Sequence, residues 1–403
     1  MPLPPEPFDA TAILADARKT DGLEDFGDET FRRPLGVLLD SLAQAPLNSL
    51  GTQLMRASVV WSLGTRLRAQ YWFTQHPEIL EERIEAPLVV VGMMRSGTTL
   101  LQRVLASDPR HYSAHGWELR APAPKPGAWP LDPDPRIAAA EANSEQTRRF
   151  APELFAIHPT HPHEAEEEIV FLADAFLSHV PEASCDVPAY REWLDDQDFT
   201  PAYRNLHRML QLLQWQKKQR GERRGRWVLK TPAHLGYLDT LFRTFPDAHV
   251  IHMHRHPLET IPSGASLNTT LWRMHADDVD PTRVGKQWIE RMAFTNGRAL
   301  EERSRLDDTN QRFTDVWFRD AVSNPIEQVE RIYSSNGIVL TDAVRSEMEN
   351  WLRKDAQSAR SPHRYTAADF GLSENQILQV FSNYIQHFVA PYETRGATEL
   401  ASR

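Results

Sequence analysis

Hydrophobic positions early in the chain form one short continuous run and then recur at helical intervals. Residues 87–91 are uninterrupted apolar positions, and a glycine-containing turn follows them. Beyond the turn, four apolar side chains are spaced as on one face of a helix: Leu100, Leu101, Val104 and Leu105. The pair Asp108-Pro109 should end that helix, because proline disfavours helical geometry at the residue before it. The pattern predicts a buried strand, a tight turn and an amphipathic helix.

Two further apolar runs, residues 227–229 and 249–254, are also expected to be buried strands. Between them, apolar side chains are spaced as on one face of a single crossover helix: Leu235, Leu238, Leu241, Phe242 and Phe245. A strand, a helix and a second strand in this order form a β-α-β unit with parallel strands. The sequence therefore predicts an α/β fold, a P-loop-like parallel sheet flanked by helices.

Helical spacing also extends through both ends of the chain. It covers residues 11–18, 31–45, 53–74, 201–219 and 283–303, and residues 312–318 are a further strand candidate. We expect residues 1–85 to be a helical region that packs on the core, and residues 86–403 to be the main domain with helical additions. Residues 121–135 contain too many prolines for regular structure, which predicts an extended loop or a lid.

The turn after the first apolar run has the spacing of a phosphate-binding loop. Gly92 and Gly97 match the two glycines of nucleotide-triphosphate loops, but Thr98 stands where those loops carry lysine. The cation is instead Arg95, whose planar guanidinium suits a fixed multi-oxygen anion. Backbone amides around Thr98 and Thr99 would point at that anion from a helix N-terminus. The loop predicts a phosphate-bearing ligand other than ATP, and a strand-helix turn without a ligand is the alternative.

Two more cations end the other predicted strands. Lys230 follows residues 227–229, and Arg255 follows residues 249–254. Ligands of open α/β sheets bind outside the carboxyl ends of the strands, so Arg95, Lys230 and Arg255 should share one edge. Each of them alone is equally well explained by a surface ion pair. Together they predict a multiply charged anion.

These motifs together resemble those of sulfotransferases that use 3′-phosphoadenosine 5′-phosphosulfate (PAPS). One run resembles the family's loop for the 5′-phosphosulfate: Arg95, Ser96, Gly97, Thr98, Thr99 and Leu100. Arg255 and Ser263 have the order and spacing of the family's 3′-phosphate site. The motifs at residues 117–122 and 227–232 are similar to those of bacterial members of the family. The tyrosylprotein sulfotransferases share the loop, the glutamate and a Lys-x-Pro motif. The resemblance covers about residues 85–370.

The resemblance implies the sulfotransferase fold and transfer of a sulfuryl group from PAPS to a hydroxyl or amine acceptor, giving PAP and a sulfated product. Arg95 and Lys230 would neutralise charge during transfer. Glu118 corresponds to the catalytic glutamate of the tyrosylprotein enzymes and would be the base. His158 is the second candidate for the base, because cytosolic aryl sulfotransferases use histidine. Arg364, with the adjacent Tyr365, would close over the 3′-phosphate.

Two other functions remain open at this point. One is a small-molecule kinase using ATP and magnesium, although the chain lacks the loop lysine and an evident metal-binding acid. The other is a non-catalytic protein that binds PAP or a nucleotide. A metal site is not expected, because the histidines at residues 158–163 lie in a proline-containing loop. His252, His254 and His256 alternate along a predicted strand, and a metal site is not expected there either.

The composition fits a soluble enzyme. A formal net charge of −10 disfavours a nucleic-acid binder, which needs a basic face. No apolar run approaches the ~20 residues that span a bilayer, so we expect no membrane partner. The single cysteine, Cys185, excludes an internal disulfide, and the first residues lack the pattern of a signal peptide. We expect a cytoplasmic enzyme that acts on a small-molecule hydroxyl acceptor, and both a monomer and a homo-oligomer remain open. The basic residues between 217 and 226 are expected to form a solvated loop.

Overall fold

The computed structural model describes residues 6–157, 159, 161–306, 312–357 and 365–394. The chain divides into two compact units. The first, here called the helical unit, consists of Met1–Ile84, Ser113–Arg224 and Thr270–Val279. The second, the sheet unit, consists of Glu85–Tyr112, Gly225–Thr269 and Asp280–Arg403. The division at residue 85 into an N-terminal region and a main domain stays a prediction.

The sheet unit is built on one parallel sheet. Its strands are β1 (Leu88–Gly92), β2 (His111–Tyr112), β3 (Arg226–Lys230), β4 (His249–His254) and β5 (Phe313–Trp317). Their spatial order is β2-β3-β1-β4-β5, and every described pairing is parallel. Val90 of the central strand β1 lies opposite Lys230 on one side and Ile251 on the other. The loop that follows β1 therefore lies between the carboxyl ends of β3 and β4, and the predicted parallel sheet is confirmed.

The helices account for most of the described chain. The first are α1 (Ala10–Asp21), α2 (Arg32–Gln44), α3 (Ser49–Gln75), α4 (Thr98–Ala106), α5 (Gly116–Arg120), α6 (Pro135–Phe150), α7 (Pro152–Ile157), α8 (Ile169–Ala173), α9 (Val180–Ser184), α10 (Pro188–Asp195) and α11 (Thr200–Gln219). The next are α12 (Leu238–Thr244), α13 (Pro257–His275), α14 (Pro281–Leu306), α15 (Phe318–Ser323), α16 (Pro325–Ser335), α17 (Asp342–Ala356), α18 (Glu374–Val380) and α19 (Ser382–Tyr384). Shorter turns of 3₁₀ helix cover Glu29–Phe31, Pro77–Glu81, Pro232–Gly236 and Ala367–Phe370, and a π-helical turn covers Ile385–Val389.

The crossover between β3 and β4 differs from the single helix predicted. A 3₁₀ turn at Pro232–Gly236 precedes α12, and Tyr237 between them has the non-helical angles φ −144° and ψ 39°. The turn is tight because the Thr231 side chain accepts a hydrogen bond from the Ala233 N–H at 3.3 Å. A Cβ on Gly236 would lie 3.3 Å from the Thr295 Cγ2, so the backbone there approaches α14 closely. The chain leaves helical geometry at Tyr237, so a 3₁₀ turn and α12 stand where a single helix is expected.

The core of the sheet unit fixes both ends of the phosphate loop. Leu88 and Val90 of β1 pack with Leu101 and Leu105 of α4 in one buried cluster, and each is at most 1% exposed. Truncating a buried leucine such as Leu105 to alanine typically costs about 2–5 kcal/mol. The loop is therefore held between a buried strand and a buried helix face.

The helical unit gathers segments that are distant in sequence. Arg68 of α3 forms a buried ion pair with Asp21 of α1, with Nη1 2.7 Å from Oδ2. Residues 122–124 of the proline-rich segment are buried, and Arg68 Nε donates to the Ala123 carbonyl at 3.1 Å. Trp72 Nε1 donates to the Pro124 carbonyl at 2.8 Å. These bonds fix the first part of the predicted lid onto α3.

A helix that spans a membrane must be both long and apolar. None of the helices in the described part of the chain meets both requirements.

Candidate active site

The loop between β1 and α4 has backbone geometry that only a few residue types accept. Gly97, the N-cap of α4, has φ 92°, and a Cβ there would lie 2.5 Å from Phe318 Cδ2. Glycine is therefore required by both conformation and space. Arg95 adopts φ 72°, a left-handed conformation that costs a non-glycine residue about 1–3 kcal/mol. Strain of this kind is characteristic of ligand-binding loops.

Ser96 offers a buried hydroxyl that a ligand in the loop could bind. The residue is 0% exposed, and within the described residues its Oγ has no hydrogen-bond partner. Leaving a buried polar group unsatisfied costs about 1–3 kcal/mol. An anion seated in the loop would accept this hydrogen bond. The predicted loop residues Thr98 and Leu100 begin α4, where Thr98 is buried and Leu100 is half-buried.

Lys230 lies at the carboxyl end of β3 and is fully buried. Its Nζ lies 3.1 Å from Thr99 Oγ1 in the first turn of α4. The parallel pairing of β3 with β1 is what brings these two residues together across the sequence. A buried ammonium needs compensating charge or hydrogen bonds, and the N-terminus of α4 beside it favours a negatively charged ligand. Both features fit the 5′ end of a phosphate-bearing molecule.

Arg255 and Ser263 each contact Arg95 directly. Arg95 Nε donates to Ser263 Oγ at 3.0 Å, and Arg255 Nη1 donates to the Arg95 carbonyl at 3.0 Å. The Arg255 guanidinium stacks on the Phe318 ring, with its carbon 4.0 Å from the ring centroid. Its Nη2 also pairs with Glu259 at 2.8 Å, in an ion pair whose side chains are 25% and 43% exposed. The predicted 3′-phosphate residues and the predicted 5′ loop are therefore joined in the sheet unit.

Glu118 is held in the helical unit, in α5. Its Oε2 accepts the His115 N–H at 2.9 Å, and Lys217 Nζ lies 2.7 Å from its Oε1. The side chain is only 2% exposed. Burial by itself would raise the pKa of Glu118, but the charges of Lys217 and His115 outweigh it and leave the pKa below its usual value. The carboxylate is ionised at neutral pH, as a base must be, and it is also the partner of a buried cation.

Lys217 departs from the sequence expectation. It was assigned to a solvated loop, whereas it lies in the last turn of α11 and is 2% exposed. The signal was present in the spacing, because Leu206, Leu210 and Leu213 define one buried face of α11 and Lys217 continues that face. Phe318 was also missed, since nothing in its own segment indicates that it lies under Arg255.

The remaining predicted site residues divide between described and undescribed parts of the chain. His158 and Arg364 lie outside the described residues. Tyr365 is described and half-buried, two residues before the 3₁₀ turn at Ala367–Phe370. Their roles stay predictions.

The alternating histidines of β4 belong to an ion-pair network. Ligand atoms of His252, His254 and Asp315 lie within 4.8 Å of one another. Arg303 occupies both carboxylate oxygens, with Nη1 2.6 Å from Asp315 Oδ1 and Nη2 2.8 Å from Oδ2. Burial lowers the pKa of both histidines. Because a guanidinium already takes both oxygens of the only acid, the donor set fits an arginine network better than a metal ion.

Comparison with known proteins independently supports the resemblance to sulfotransferases. The model of the sulfotransferase family matches residues 87–342. The omega-hydroxy-beta-dihydromenaquinone-9 sulfotransferase Stf3 of Mycobacterium bovis is 24% identical in an alignment of 330 positions that covers 74% of this chain and 75% of the relative. The crystal structure of sulfotransferase STF1 from Mycobacterium tuberculosis H37Rv has a TM-score of 0.79 and 31% identity, covering 93% of this chain and 98% of that chain. Sulfotransferase STF9 from Mycobacterium avium has a TM-score of 0.84 and 25% identity, covering 94% and 97%.

The span matched by the family model contains the strained loop, Lys230, Arg255 and Ser263. The chain belongs to the sulfotransferase family and is a sulfotransferase.

Proposed function

We propose that this sulfotransferase takes its sulfuryl group from PAPS and passes it to a hydroxyl group of a small molecule. The observation that carries the proposal is the joining of two anion sites in the sheet unit. Lys230 lies beside Thr99 at the start of α4, while Arg255 and Ser263 both contact Arg95. A donor with phosphate groups at both its 5′ and 3′ positions matches two such sites, whereas ATP has no 3′-phosphate.

The 5′ end of the donor is assigned to the loop. The Ser96 hydroxyl and the first amides of α4 would hold the 5′-phosphate, and Lys230 would neutralise the phosphate oxygen that leaves. Arg95 would balance charge on the transferring group. These groups are fixed by packing before the donor binds, which is the condition under which electrostatic stabilisation of a transition state is most effective.

The 3′ end of the donor is assigned to Arg255 and Ser263. Arg255 would release Glu259 and bind the phosphate instead. Breaking this ion pair costs little free energy, because exposed ion pairs contribute only about 0–1 kcal/mol. Phe318 would keep the guanidinium plane in place throughout, since its ring lies under that plane. A planar guanidinium can then bind two phosphate oxygens at once.

In the transfer itself, the acceptor oxygen forms a bond to sulfur while the bond between sulfur and the 5′-phosphate oxygen breaks. The products are a sulfate ester and PAP. The acceptor's proton goes to a base, for which we propose Glu118, with His158 as the second candidate. No metal is required, because Arg95 and Lys230 supply positive charge. The acceptor is proposed to be a small-molecule alcohol, the class to which the hydroxylated substrate named for the mycobacterial Stf3 belongs.

The test combines binding and turnover. Calorimetric titration should show tighter binding of PAP than of AMP or ATP, and labelled PAPS should transfer its sulfur to members of a panel of alcohols and amines. Equal affinity for PAP and AMP would remove the 3′-phosphate assignment. Tight, magnesium-dependent ATP binding with phosphate transfer would favour the kinase. Tight PAP binding without transfer to any acceptor would favour the non-catalytic binding protein.

A further inference from the structure

Arg255, whose guanidinium lies over the Phe318 ring, is the first residue after β4. β4 ends at His254, which lies opposite Trp317 at the end of β5. A binding side chain is placed accurately only when the groups behind it are themselves fixed by packing and hydrogen bonds. The contacts of His254 and of the Arg255 backbone therefore bear on where the guanidinium lies.

His254 is fully buried, and both of its ring nitrogens are hydrogen-bonded. Nε2 lies 2.7 Å from Asp315 Oδ1, and Nδ1 lies 3.1 Å from the Tyr384 hydroxyl oxygen. Burial by itself would raise the pKa of Asp315, but hydrogen bonds from His254 and Arg303 outweigh it and hold that pKa well below its usual value. The ionised carboxylate can only accept, so Nε2 of His254 donates to it. Burial lowers the pKa of His254, and the neutral ring therefore offers Nδ1 as an acceptor.

The Tyr384 hydroxyl joins this network to the backbone of Arg255. Because Nδ1 of His254 is an acceptor, the hydroxyl donates its hydrogen to that nitrogen, and its oxygen can accept in turn. The Arg255 N–H donates to this oxygen. Burial raises the pKa of the hydroxyl, and the hydrogen bond from Arg255 opposes that rise only in part, so Tyr384 keeps its proton. One hydroxyl thus holds the last ring of β4 and the amide of the arginine that follows it.

The π-helical turn that follows Tyr384 packs against the ends of β4 and β5. The Phe388 ring stacks on the His254 ring, with centroids 4.3 Å apart and planes 19° apart. Trp317 Nε1 donates to the Phe388 carbonyl at 3.2 Å, and the Tyr392 ring stacks on the Trp317 ring with centroids 4.8 Å apart. These contacts fix the segment that carries the hydroxyl before any donor binds.

Tyr333 offers a comparison within the sheet unit. It is 1% exposed, as Tyr384 is, and its hydroxyl donates to Asp108 Oδ2 at 2.7 Å. Asp108 also pairs with Arg110, and both follow the carboxyl end of α4, whereas the phosphate loop lies at the amino end of that helix. The Tyr333 hydroxyl is therefore buried and hydrogen-bonded in the same way but has no contact with Arg255.

We propose that Tyr384 is a positioning residue for the donor: its hydroxyl holds the Arg255 backbone so that the guanidinium meets the 3′-phosphate of PAPS. The inference rests on the proposed function, because that phosphate is the one assigned there to Arg255. His254 acts one step behind, since it keeps the hydroxyl hydrogen of Tyr384 directed away from the Arg255 N–H. The C-terminal segment thereby contributes to donor recognition through Arg255.

The first experiment compares PAP and AMP binding by calorimetry in full-length variants. Tyr384→Phe removes the hydroxyl and keeps the ring. It should weaken PAP binding about three- to tenfold, as expected for one hydrogen bond, and leave AMP binding unchanged. Tyr333→Phe is the matched control, because it also deletes a buried hydroxyl of the sheet unit, and it should leave the ratio of the two affinities unchanged. Thermal melting shows whether the two variants lose similar stability.

A double-mutant cycle then shows whether Tyr384 acts through Arg255. In the Arg255→Ala background, Tyr384→Phe should have no further effect on PAP affinity, because the guanidinium that it places is absent. A further loss of the same size would overturn the inference, since Tyr384 would then act by another route. Should Tyr384→Phe fail to fold, Phe388→Leu takes its place, because it loosens the segment that carries the hydroxyl. It should reduce the preference for PAP, and an unchanged preference overturns the inference.

Failure of the inference is distinguishable from failure of the proposed function. If wild type prefers PAP to AMP and Tyr384→Phe keeps the same preference, the role of Tyr384 is wrong and the proposed function stands. If wild type binds PAP and AMP equally, the assignment of the 3′-phosphate to Arg255 is wrong, and the role of Tyr384 fails with it.

Discussion

The paired cations in the core of the helical unit and the cations at the β1–α4 loop of the sheet unit contact different kinds of side chain. In the helical unit, Lys217 is paired with Glu118 and Arg68 with Asp21, each cation in contact with a carboxylate. In the sheet unit, Lys230 lies against the Thr99 hydroxyl and Arg95 against the Ser263 hydroxyl. A carboxylate neutralises the charge of the cation beside it, whereas a hydroxyl contributes a hydrogen bond without an opposite charge. The two sets of contacts therefore predict different effects when a cation is removed.

The largest effect on stability is expected when the ion pair between Lys217 and Glu118 of the helical unit is broken. Lys217→Met should lower the free energy of unfolding by about 3–5 kcal/mol, because it leaves Glu118 as an uncompensated buried charge. Glu118→Gln should be destabilising for the complementary reason. The double variant Glu118→Gln/Lys217→Met should regain most of the lost stability. Urea unfolding followed by circular dichroism measures the free energy of unfolding of all three variants. If the loss in the double variant equals the sum of the losses in the two single variants, Lys217 and Glu118 do not stabilise each other.

The same double variant decides the role of Glu118 in catalysis. If Glu118 is the base, the double variant should fold, bind PAP and remain about 10²- to 10⁴-fold slower than wild type. If the carboxylate serves only to neutralise Lys217, activity should return together with stability. His158→Ala, tested on the same acceptor, identifies the base in that second case.

Asp174 of the helical unit is a buried carboxyl whose pKa is raised, and replacing it should have the next largest effect on stability. Burial raises the pKa of this carboxyl to about 7, despite the opposing charges of Arg66 and Arg68. Because its ordinary value is 3.8, the folded state binds the proton more tightly, and the unfolding free energy should fall as pH rises from about 4 to about 7. Asp174→Asn should remove this loss and gain roughly 2–4 kcal/mol at pH 8. Equal pH slopes for wild type and variant, measured in urea between pH 5 and 8, would argue against a raised pKa.

Removing either Lys230 or Arg95 at the loop of the sheet unit should spare the fold and reduce catalysis. Lys230→Met keeps most of the apolar stem while deleting the charge, and Arg95→Ala removes the loop guanidinium. Each should lower turnover by about 10²-fold or more, since preorganised charge is directed at the transition state. Lys218→Met, whose side chain pairs with Glu82 in the helical unit, is the control and should retain turnover. Near wild-type rates for Lys230→Met would restrict Lys230 to a structural or binding role.

The smallest effect concerns discrimination between donors. Arg255→Ala should weaken PAP binding by roughly 1.5–3 kcal/mol, the value of a hydrogen bond to a charged group. AMP binding should change little, because AMP has no 3′-phosphate for this side chain to hold. Glu259→Gln should leave PAP affinity equal or improved, since it removes the carboxylate that competes for Arg255. Equal losses for PAP and AMP in Arg255→Ala would place Arg255 at another part of the ligand.

Sequence patterns predicted the longer strands of the sheet unit and the cations that follow them, because these residues lie in short contiguous segments. The apolar runs at β1, β3, β4 and β5 and the cations that follow three of them were all visible. The short β2 was not predicted, because a strand of two residues has no detectable periodicity. The break in the crossover at Tyr237 was not predicted either, since the apolar spacing continues across it.

The sequence by itself determined that β1 is followed by a loop and a helix, that the strands are parallel, and that their cations meet at one edge. Those properties follow from local hydrophobic patterns and from the handedness of β-α-β connections. Only the tertiary structure decided that Lys217 neutralises Glu118, that Phe318 supports Arg255, and that Tyr384 lies against His254. Such contacts join segments far apart in the chain, and their partners are selected by packing and by the cost of burying charge, which no single segment encodes.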